Sequence, residues 1–272
     1  MMRTQLETNL IRLVAKHREL VVQFIRKELV TKYKGSFLGR FWSIITPLMM
    51  LIIYTYVFSV IFKAKWDFAA TGSKQEFAIT LFCGMLIFSV FSECVTKAPT
   101  LITSNPNYVK KVVFPLEILP VSLLGSALIN YLIGMAILLI GQLVFLQNVT
   151  WTLLYLPLML MPLLLLSLGL SFLLSSLGVF LRDLEHSISI IVQALYLLTP
   201  IFYPVTAIPE EIRGFLYINP LTGIVDNVRK VVVWGIQPDW MNWSVEIIVS
   251  GIVLWLGYWW FLKTRKGFAD VL

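Results

Sequence analysis

The chain has 272 residues, of which 58% are hydrophobic and only 14% are charged. Soluble globular domains carry about 25% charged residues, so this composition excludes an ordinary water-soluble protein and predicts one that crosses a membrane several times. A net charge of +7 would suggest a nucleic-acid partner in a soluble protein, but in membrane proteins Lys and Arg collect in the cytoplasmic loops. We therefore expect no nucleic-acid partner.

The N-terminal region predicts an amphipathic helix. From Leu6 to Val30, apolar residues recur at three- and four-residue spacing, with charged residues largely between them. This pattern is typical of a helix that lies in the membrane interface, and it also fits a helix packed on a soluble partner. We interpret residues 1–39 as a cytoplasmic interface helix and a short segment that leads into the membrane.

Six apolar segments follow, at residues 40–62, 77–95, 117–146, 152–180, 187–205 and 244–262. Each is close to or above the length of about 20 residues that a helix needs to cross a bilayer. The sequence therefore predicts an all-α polytopic membrane protein, with one transmembrane domain over residues 1–272 and a six-span bundle over residues 40–262. Cys83 and Cys94 would lie about 16 Å apart along one helix, too far for a disulfide, and are expected to be buried.

Basic residues orient these segments. With the N-terminus inside the cell, the predicted cytoplasmic pieces hold sixteen Lys and Arg residues and the outer pieces hold six. Cytoplasmic loops carry the excess of Lys and Arg, so we expect both termini, including the tail at residues 263–272, to be cytoplasmic. Lys32, Lys34 and Arg40 then lie at the level of the inner headgroups.

The outer stretch between the fifth and sixth segments, residues 207–235, is too long for a simple turn. Pro209 followed by two Glu residues predicts one helix start, and Asn219 before Pro220 predicts a second helix that ends at Gly235. The second helix would be about 22 Å long and carries charged residues, so we expect it to lie at the outer surface or to re-enter the membrane without crossing it.

The six segments are poor in ionisable groups. Away from their ends they contain no Asp, Glu, Lys, Arg or His, whereas transporters driven by ion gradients need such groups inside the membrane. The stretch Gly35–Arg40 comes nearest to a phosphate-binding loop, but it has the wrong spacing and lacks the required Lys. Energy for any transport is therefore expected from another protein, and no metal or cofactor is expected in this chain.

The stretch RDLEH, Arg182–His186, is the densest cluster of titratable groups in the sequence. One interpretation is a solvated turn between two spans. Another is a membrane enzyme that acts on polyprenyl phosphates and uses the interfacial acids Asp183 and Glu185. A purely structural membrane scaffold is a further alternative.

A family resemblance is carried by four sequence blocks: KYKGSFLGRFWSIITPL, VKKVVFPLEILP, VFLRDLEHSISIIVQALYLLTPIFYP and INPLTGIVDNVRKVVVWG. In this order and spacing they resemble the permease subunits of ATP-binding-cassette exporters for bacterial surface polysaccharides. This group includes O-antigen, capsule and teichoic-acid exporters, of which the O-antigen type is the most similar. The resemblance covers nearly the whole chain. A permease for drugs or small lipids shares the architecture and stays an alternative.

The resemblance implies how such an exporter is assembled. Two copies of the permease would pair with two copies of a separate ATPase subunit, which binds ATP and magnesium, in the bacterial inner membrane. The cargo would be a polysaccharide on an undecaprenyl diphosphate carrier, moved from the cytoplasm to the periplasm or cell exterior. No catalytic residue is expected in the permease.

Three groups of candidate site residues follow from the resemblance and from the residue types. Cations near the inner headgroups attract an anionic lipid headgroup, and aromatic faces suit a sliding glycan. The residues expected to receive the headgroup are Lys32, Tyr33, Lys34, Gly35, Gly39, Arg40 and Trp42. The residues expected to contact the ATPase are Asn105, Tyr108, Lys110, Lys111, Phe114, Arg182 and Asp183. The residues expected in the channel and outer gate are Tyr54, Phe58, Phe88, Phe91, Tyr131, Tyr196, Pro200, Tyr203, Pro204, Asn219, Pro220 and Arg229.

Overall fold

The computed structural model describes residues 10–32, 36–61, 73–110, 114–147 and 149–272. The α-helices of these residues are α1 (Leu10–Lys16), α2 (Arg18–Lys32), α3 (Trp42–Thr55), α4 (Lys74–Lys97), α5 (Pro106–Lys110), α6 (Ile118–Phe145), α7 (Leu156–Phe180), α8 (Leu184–Leu198), α9 (Glu210–Leu216), α10 (Pro220–Arg229), α11 (Trp240–Thr264) and α12 (Phe268–Val271). Outside the described residues lie Tyr33, Lys34, Gly35 and Lys111, together with the side chains of Arg40 and Phe58.

Four helices in the described part of the chain are long and apolar enough to cross a membrane: Lys74–Thr100, Ile118–Phe145, Trp151–Phe180 and Trp240–Val271. These four helices correspond to the second, third, fourth and sixth predicted segments. The prediction of an all-α protein is confirmed for the described residues. The first and fifth predicted segments form the shorter apolar helices α3 and α8.

The two shorter helices differ in how they end. After α3 the backbone continues as a π-helical stretch, Tyr56–Ile61, so this helical run nearly fills its predicted segment. Helix α8 ends at Leu198, whereas the predicted segment extends to residue 205. Thr199 has an extended backbone (φ −74°, ψ 134°), because the residue before a proline is disfavoured in the helical region. Pro200 therefore ends α8 early.

Helix α4 lies at the centre of the bundle, in contact with α3, α6, α7, α8 and α10. Large side chains on several of its faces are buried, including Leu81, Ile87 and Phe88. Cys83 and Cys94 are both buried with free thiols, as the sequence predicts. Apolar side chains on several faces suit a helix to such a central position.

The predicted interface helix is divided at His17 into α1 and α2. Leu13, Val21 and Phe24 form its buried face, and α2 packs along α6. The Ile25 side chain fills the space beside Gly125, where any larger residue on α6 would collide with it. The amphipathic pattern thus places α2 against the bundle.

Helices α7 and α11 pack closely through glycines. A Cβ at Gly169 would come within 2.6 Å of the Leu254 backbone, and a Cβ at Gly257 would collide with the Gly169 carbonyl. Small residues allow this approach of two backbones within a membrane. At the end of the same pair, Arg265 forms an ion pair with Glu117, the residue that precedes α6.

The helix starts and the stop predicted within residues 207–235 are confirmed. Helix α9 begins after Pro209, and α10 begins at Pro220 with the Asn219 side chain accepting a hydrogen bond from the Leu221 N–H at 3.1 Å. A π-helical turn, Lys230–Trp234, extends α10 to Gly235, whose φ of 68° lies in the left-handed region that glycine adopts at low cost.

Candidate functional site

The main candidate site is a cavity of about 580 Å³ between α3, α4, α6 and α8, with the end of α2 at one side. Its described lining includes Lys32 and Trp42 from the predicted headgroup group, and Phe88 and Tyr196 from the predicted channel group. Two groups of residues that the sequence places far apart thus line one cavity.

The α4 wall of this cavity changes from apolar to polar along the helix. Residues three or four apart share one helix face, and this face carries Phe82, Met85 and Leu86 towards one end. Towards the other end it carries Ser89, Ser92, Glu93 and Thr96. The cavity is therefore amphipathic, with its polar end next to Lys32.

Glu93 is the centre of a polar cluster at that end. The Lys32 ammonium lies 3.0 Å from each carboxylate oxygen, and the Lys97 ammonium lies 2.9 Å from Oε1. The Asn130 amide of α6 donates to Oε2 at 3.2 Å. These contacts join α2, α4 and α6 at one point. Partners of this kind stabilise the ionised form of a carboxylate in a partly buried position.

Aromatic rings form a second cluster beside the cavity. Tyr196 lies 4.9 Å from Phe88 and 5.0 Å from Phe202, measured between ring centroids, and Tyr54 lies 5.1 Å from Phe202. Phe91 extends the cluster through Phe88 at 5.8 Å. Edge and tilted arrangements of this kind are favourable packing geometries. The rings link α3, α4 and α8.

Arg229 connects helix α10 to the bundle. Its guanidinium donates to the carbonyls of Thr80 at 3.0 Å, Pro200 at 2.6 Å and Ile201 at 2.7 Å. The Pro200 and Ile201 carbonyls lie just past the end of α8, where helical hydrogen bonding has stopped. Burial lowers the pKa of Arg229 to about 10, so the group remains charged at neutral pH. Arg229, one of the predicted channel and outer-gate residues, is buried, although its position in the helix is opposite the apolar residues of α10.

The loop between α4 and α6 packs on α2. Phe24 lies 5.2 Å from Tyr108 and 5.1 Å from Phe114 between ring centroids. The Lys27 ammonium lies 5.4 Å from the Tyr108 ring centroid and donates to Asn105 Oδ1 at 3.4 Å. Three residues predicted to contact an ATPase are thus held against the interface helix.

Comparison with known proteins identifies the family. Residues 19–233, most of the chain, match the ABC-2 type transporter family. The chain belongs to this family. It is accordingly an ABC-2 permease, a class of multi-pass membrane protein that is not itself catalytic and that works with an ATP-binding-cassette partner.

Several curated relatives of this ABC-2 permease are named as export or transport proteins for O-antigen or polysialic acid. It is 26% identical to an O-antigen export system permease protein RfbA of Myxococcus xanthus over 96% of this chain and 98% of the relative. It is 25% identical to RfbA of Klebsiella pneumoniae over 93% and 95% of the two chains. It is 24% identical to the polysialic acid transport protein KpsM of Escherichia coli over 85% and 88%.

Of the remaining predicted headgroup residues, the structure describes Gly39 and the backbone of Arg40, which lead into Trp42. Gly39 begins a short 3₁₀ turn, Gly39–Phe41, with a φ of 48°. Trp42 follows at the start of α3 and donates its indole N–H to the Ser36 hydroxyl at 2.8 Å. The turn brings the chain from the interface into the bundle of the permease beside Lys32.

The remaining predicted channel and coupling residues are dispersed. Tyr131 is fully buried in the core and does not line the cavity. The Tyr203 hydroxyl donates to the Leu197 carbonyl at 3.0 Å, so it stabilises the turn after α8. Pro200 and Pro204 line a smaller pocket of about 250 Å³, which Arg229 also lines.

The remaining coupling candidates that the structure describes are exposed. Lys110 lies at the end of α5, and Arg182 and Asp183 lie in the turn between α7 and α8.

Sequence reasoning missed the role of Glu93. It lies two residues from the predicted end of the second segment, at residue 95, in the part of a segment where a charged residue is ordinary. The structure continues α4 to Lys97 and places Glu93 on the wall of the cavity. The repeat of polar residues at positions 89, 92, 93 and 96 in an apolar helix is the signal that could have found it.

Proposed function

We propose that this ABC-2 permease is the membrane half of an ATP-driven exporter for a polysaccharide on an undecaprenyl diphosphate carrier, with an O-antigen type of glycan as cargo. The near full-length similarity to O-antigen export permeases supports this proposal most directly. The single feature of the structure that carries it is the amphipathic cavity, which joins a lysine at its polar end to aromatic rings at its apolar end.

The proposed assembly is a homodimer with two copies of a separate ATPase subunit, which binds ATP and magnesium. The dimer lies in the bacterial inner membrane with both termini cytoplasmic, and α3 and α8 complete six spans. One chain encloses a cavity of about 580 Å³, and a wider passage for a glycan would form between two copies related by a two-fold axis.

The residues have separate proposed roles. Lys32 and Trp42, with the neighbouring turn at Gly39, receive the carrier headgroup from the inner leaflet. The aromatic cluster beside the cavity guides the glycan by stacking on sugar faces. The loop from Asn105 to Phe114, together with the turn at Arg182, contacts the ATPase.

The test is export in inverted membrane vesicles that contain the permease and its ATPase partner. A radiolabelled lipid-linked glycan should become protected inside the vesicles only when ATP is present. An ATPase variant without its phosphate-binding Lys should abolish protection, whereas collapsing proton and sodium gradients should leave it unchanged. Transport of this glycan without ATP would overturn the proposal.

One double variant connects the test to the cavity, which Lys32 lines. Lys32→Gln and Lys34→Gln, made together, should reduce export while insertion and assembly with the ATPase stay intact, because cations near the surface attract an anionic headgroup. Unchanged export would leave these lysines with an orienting role alone. Transport of a short-chain lipid or a dye in preference to the glycan would favour a permease for small amphiphiles.

A further inference from the structure

The Glu93 cluster places an acid where the proposed function needs a cation. The Glu93 carboxylate lies within 3.0 Å of the Lys32 ammonium and 2.9 Å of the Lys97 ammonium. These separations are close to those of an ammonium bound to a phosphate oxygen. The Glu93 oxygens therefore occupy the position that an oxygen of an incoming anionic headgroup would take.

Exposure within the cluster favours exchange of one anion for another. The Glu93 side chain is 13% exposed, whereas the side chains of Lys32 and Lys97 are 33% and 38% exposed. Lys32 lines the cavity, so an anion that approaches through the cavity reaches its ammonium group more easily than it reaches the carboxylate, and the Lys97 ammonium is open to solvent beside it. Lys97 and Asn130 still support Glu93 if Lys32 turns away from it.

The charge balance points the same way. Lys32, Lys97 and Glu93 carry a combined charge of +1, which is less than the +2 that the lysines would present alone. A diphosphate group held by both lysines would be repelled by Glu93 at close range in a partly buried place, where charges interact more strongly than in water. Glu93 therefore lowers the affinity of this position for an anion.

We infer that Glu93 is a resident counter-ion that holds Lys32 and Lys97 until the anionic headgroup of a lipid replaces it. This inference rests on the proposed function and deepens it. The carboxylate keeps the two lysines in place between transport cycles. It also makes binding of the headgroup weak enough to reverse, which a transport path requires because cargo must leave as well as bind.

The experiment measures binding of a labelled farnesyl diphosphate to the full-length permease in phosphatidylcholine nanodiscs. Glu93→Gln should tighten binding about tenfold, which corresponds to about 1.4 kcal/mol. Glu19→Gln, on the exposed side of α2, changes the net charge equally and should leave the affinity unchanged. Lys97→Gln should weaken binding, which provides a second measurement if the Glu93 variant fails to fold.

A double variant separates local charge from structural damage. Glu93→Gln with Lys97→Gln removes one charge of each sign, so its affinity should return close to that of the unaltered protein. If the ion pair only fastens α2 to α4, Glu93→Gln should instead lower the melting temperature and bring no gain in affinity for farnesyl diphosphate. That result would overturn the inference.

Two further probes identify the source of the anion. Farnesol should not compete with farnesyl diphosphate, and inorganic pyrophosphate should compete far more weakly than the lipid. Equal competition by pyrophosphate would indicate a site for a free anion and would overturn the assignment of a lipid headgroup as the ligand.

Measurements of glycan export keep the counter-ion inference distinct from the proposed function. Normal ATP-driven export with unchanged binding in Glu93→Gln would reject the counter-ion alone. Absent export by the unaltered permease with its ATPase, together with tightened binding in Glu93→Gln, would reject the proposed function alone.

Discussion

The Arg229 guanidinium lies against Gly84 of α4, in the space that a side chain at position 84 would occupy. In a regular helix the Gly84 N–H points to the Thr80 carbonyl, which also accepts from Arg229 Nε at 3.0 Å. A carbonyl oxygen has two lone pairs and can accept both bonds. Glycine on α4 and arginine on α10 therefore form one joint between the central helix and the outer segment.

Gly84→Ala should break this joint. The added Cβ would collide with the guanidinium, which then loses its bonds to the buried carbonyls of Thr80, Pro200 and Ile201. The Thr80 carbonyl keeps its bond from the N–H of residue 84, but leaving the guanidinium and the Pro200 and Ile201 carbonyls unpaired costs about 1–3 kcal/mol per group. Thermal unfolding of the purified permease should show a lower melting temperature. Gly141→Ala, on α6 with open space around it, serves as the control, and equal melting temperatures for the two variants would contradict the joint.

Arg265→Gln should destabilise the permease strongly. The Glu117 side chain is fully buried and pairs with Arg265, and removing one partner of a buried ion pair costs about 3–5 kcal/mol because the other charge stays buried. Lys266→Gln removes a neighbouring exposed charge and should have little effect in the same unfolding measurement.

The Glu117–Arg265 pair allows a second check. Glu117→Gln combined with Arg265→Gln removes both charges and should recover part of the lost stability. A double variant less stable than Arg265→Gln would argue against an uncompensated carboxylate as the cause.

Gly257→Ala should separate α7 from α11. A Cβ at position 257 would collide with the Gly169 carbonyl, so the two backbones must move apart. Such overpacking typically costs about 1–3 kcal/mol. Gly251→Ala on the same helix meets no neighbour within 4 Å, and alanine is the better helix former by about 1 kcal/mol. Its melting temperature should hold or rise, and a similar fall in both variants would contradict this packing.

Phe24→Ala should uncouple ATP hydrolysis from export in the proposed assembly. The ring packs between Tyr108 and Phe114 and fixes the loop that is proposed to contact the ATPase. Loosening the loop should lower the glycan exported per ATP hydrolysed by about fivefold or more, as expected for loss of a coupling free energy of about 1 kcal/mol. Phe215→Ala removes an exposed ring from α9 and should leave this ratio unchanged. A constant ratio in Phe24→Ala would show that the contact does not transmit the signal.

Local signals made the helices predictable. The long apolar runs specify α4, α6, α7 and α11, and Asn219, Pro220 and Gly235 specify where the outer helix starts and stops. These features depend on residues that are close in sequence. Pro200 is a local signal for the end of α8 as well, but the apolar residues after it extend the predicted segment to residue 205.

The candidate site could be predicted only in part. The residue types of Lys32, Trp42 and Tyr196 suggested their roles, but their shared cavity depends on the packing of α2, α3, α4 and α8. The position of Arg229 depended on tertiary structure as well. A helix projection places it opposite the apolar face, yet its long side chain reaches carbonyls that α8 leaves unpaired.

The short length of α8 has a consequence for the surrounding bilayer. Its 15 residues extend about 22 Å, while the hydrocarbon core of a bilayer is about 30 Å thick. In the proposed six-span assembly, the missing depth falls at the Thr199–Tyr203 turn, where the Pro200 and Ile201 carbonyls accept from Arg229. Lipid tails beside this turn would then have to shorten, so hydrophobic mismatch should thin the bilayer locally, and the chain length of the host lipids should change the rate of the proposed export.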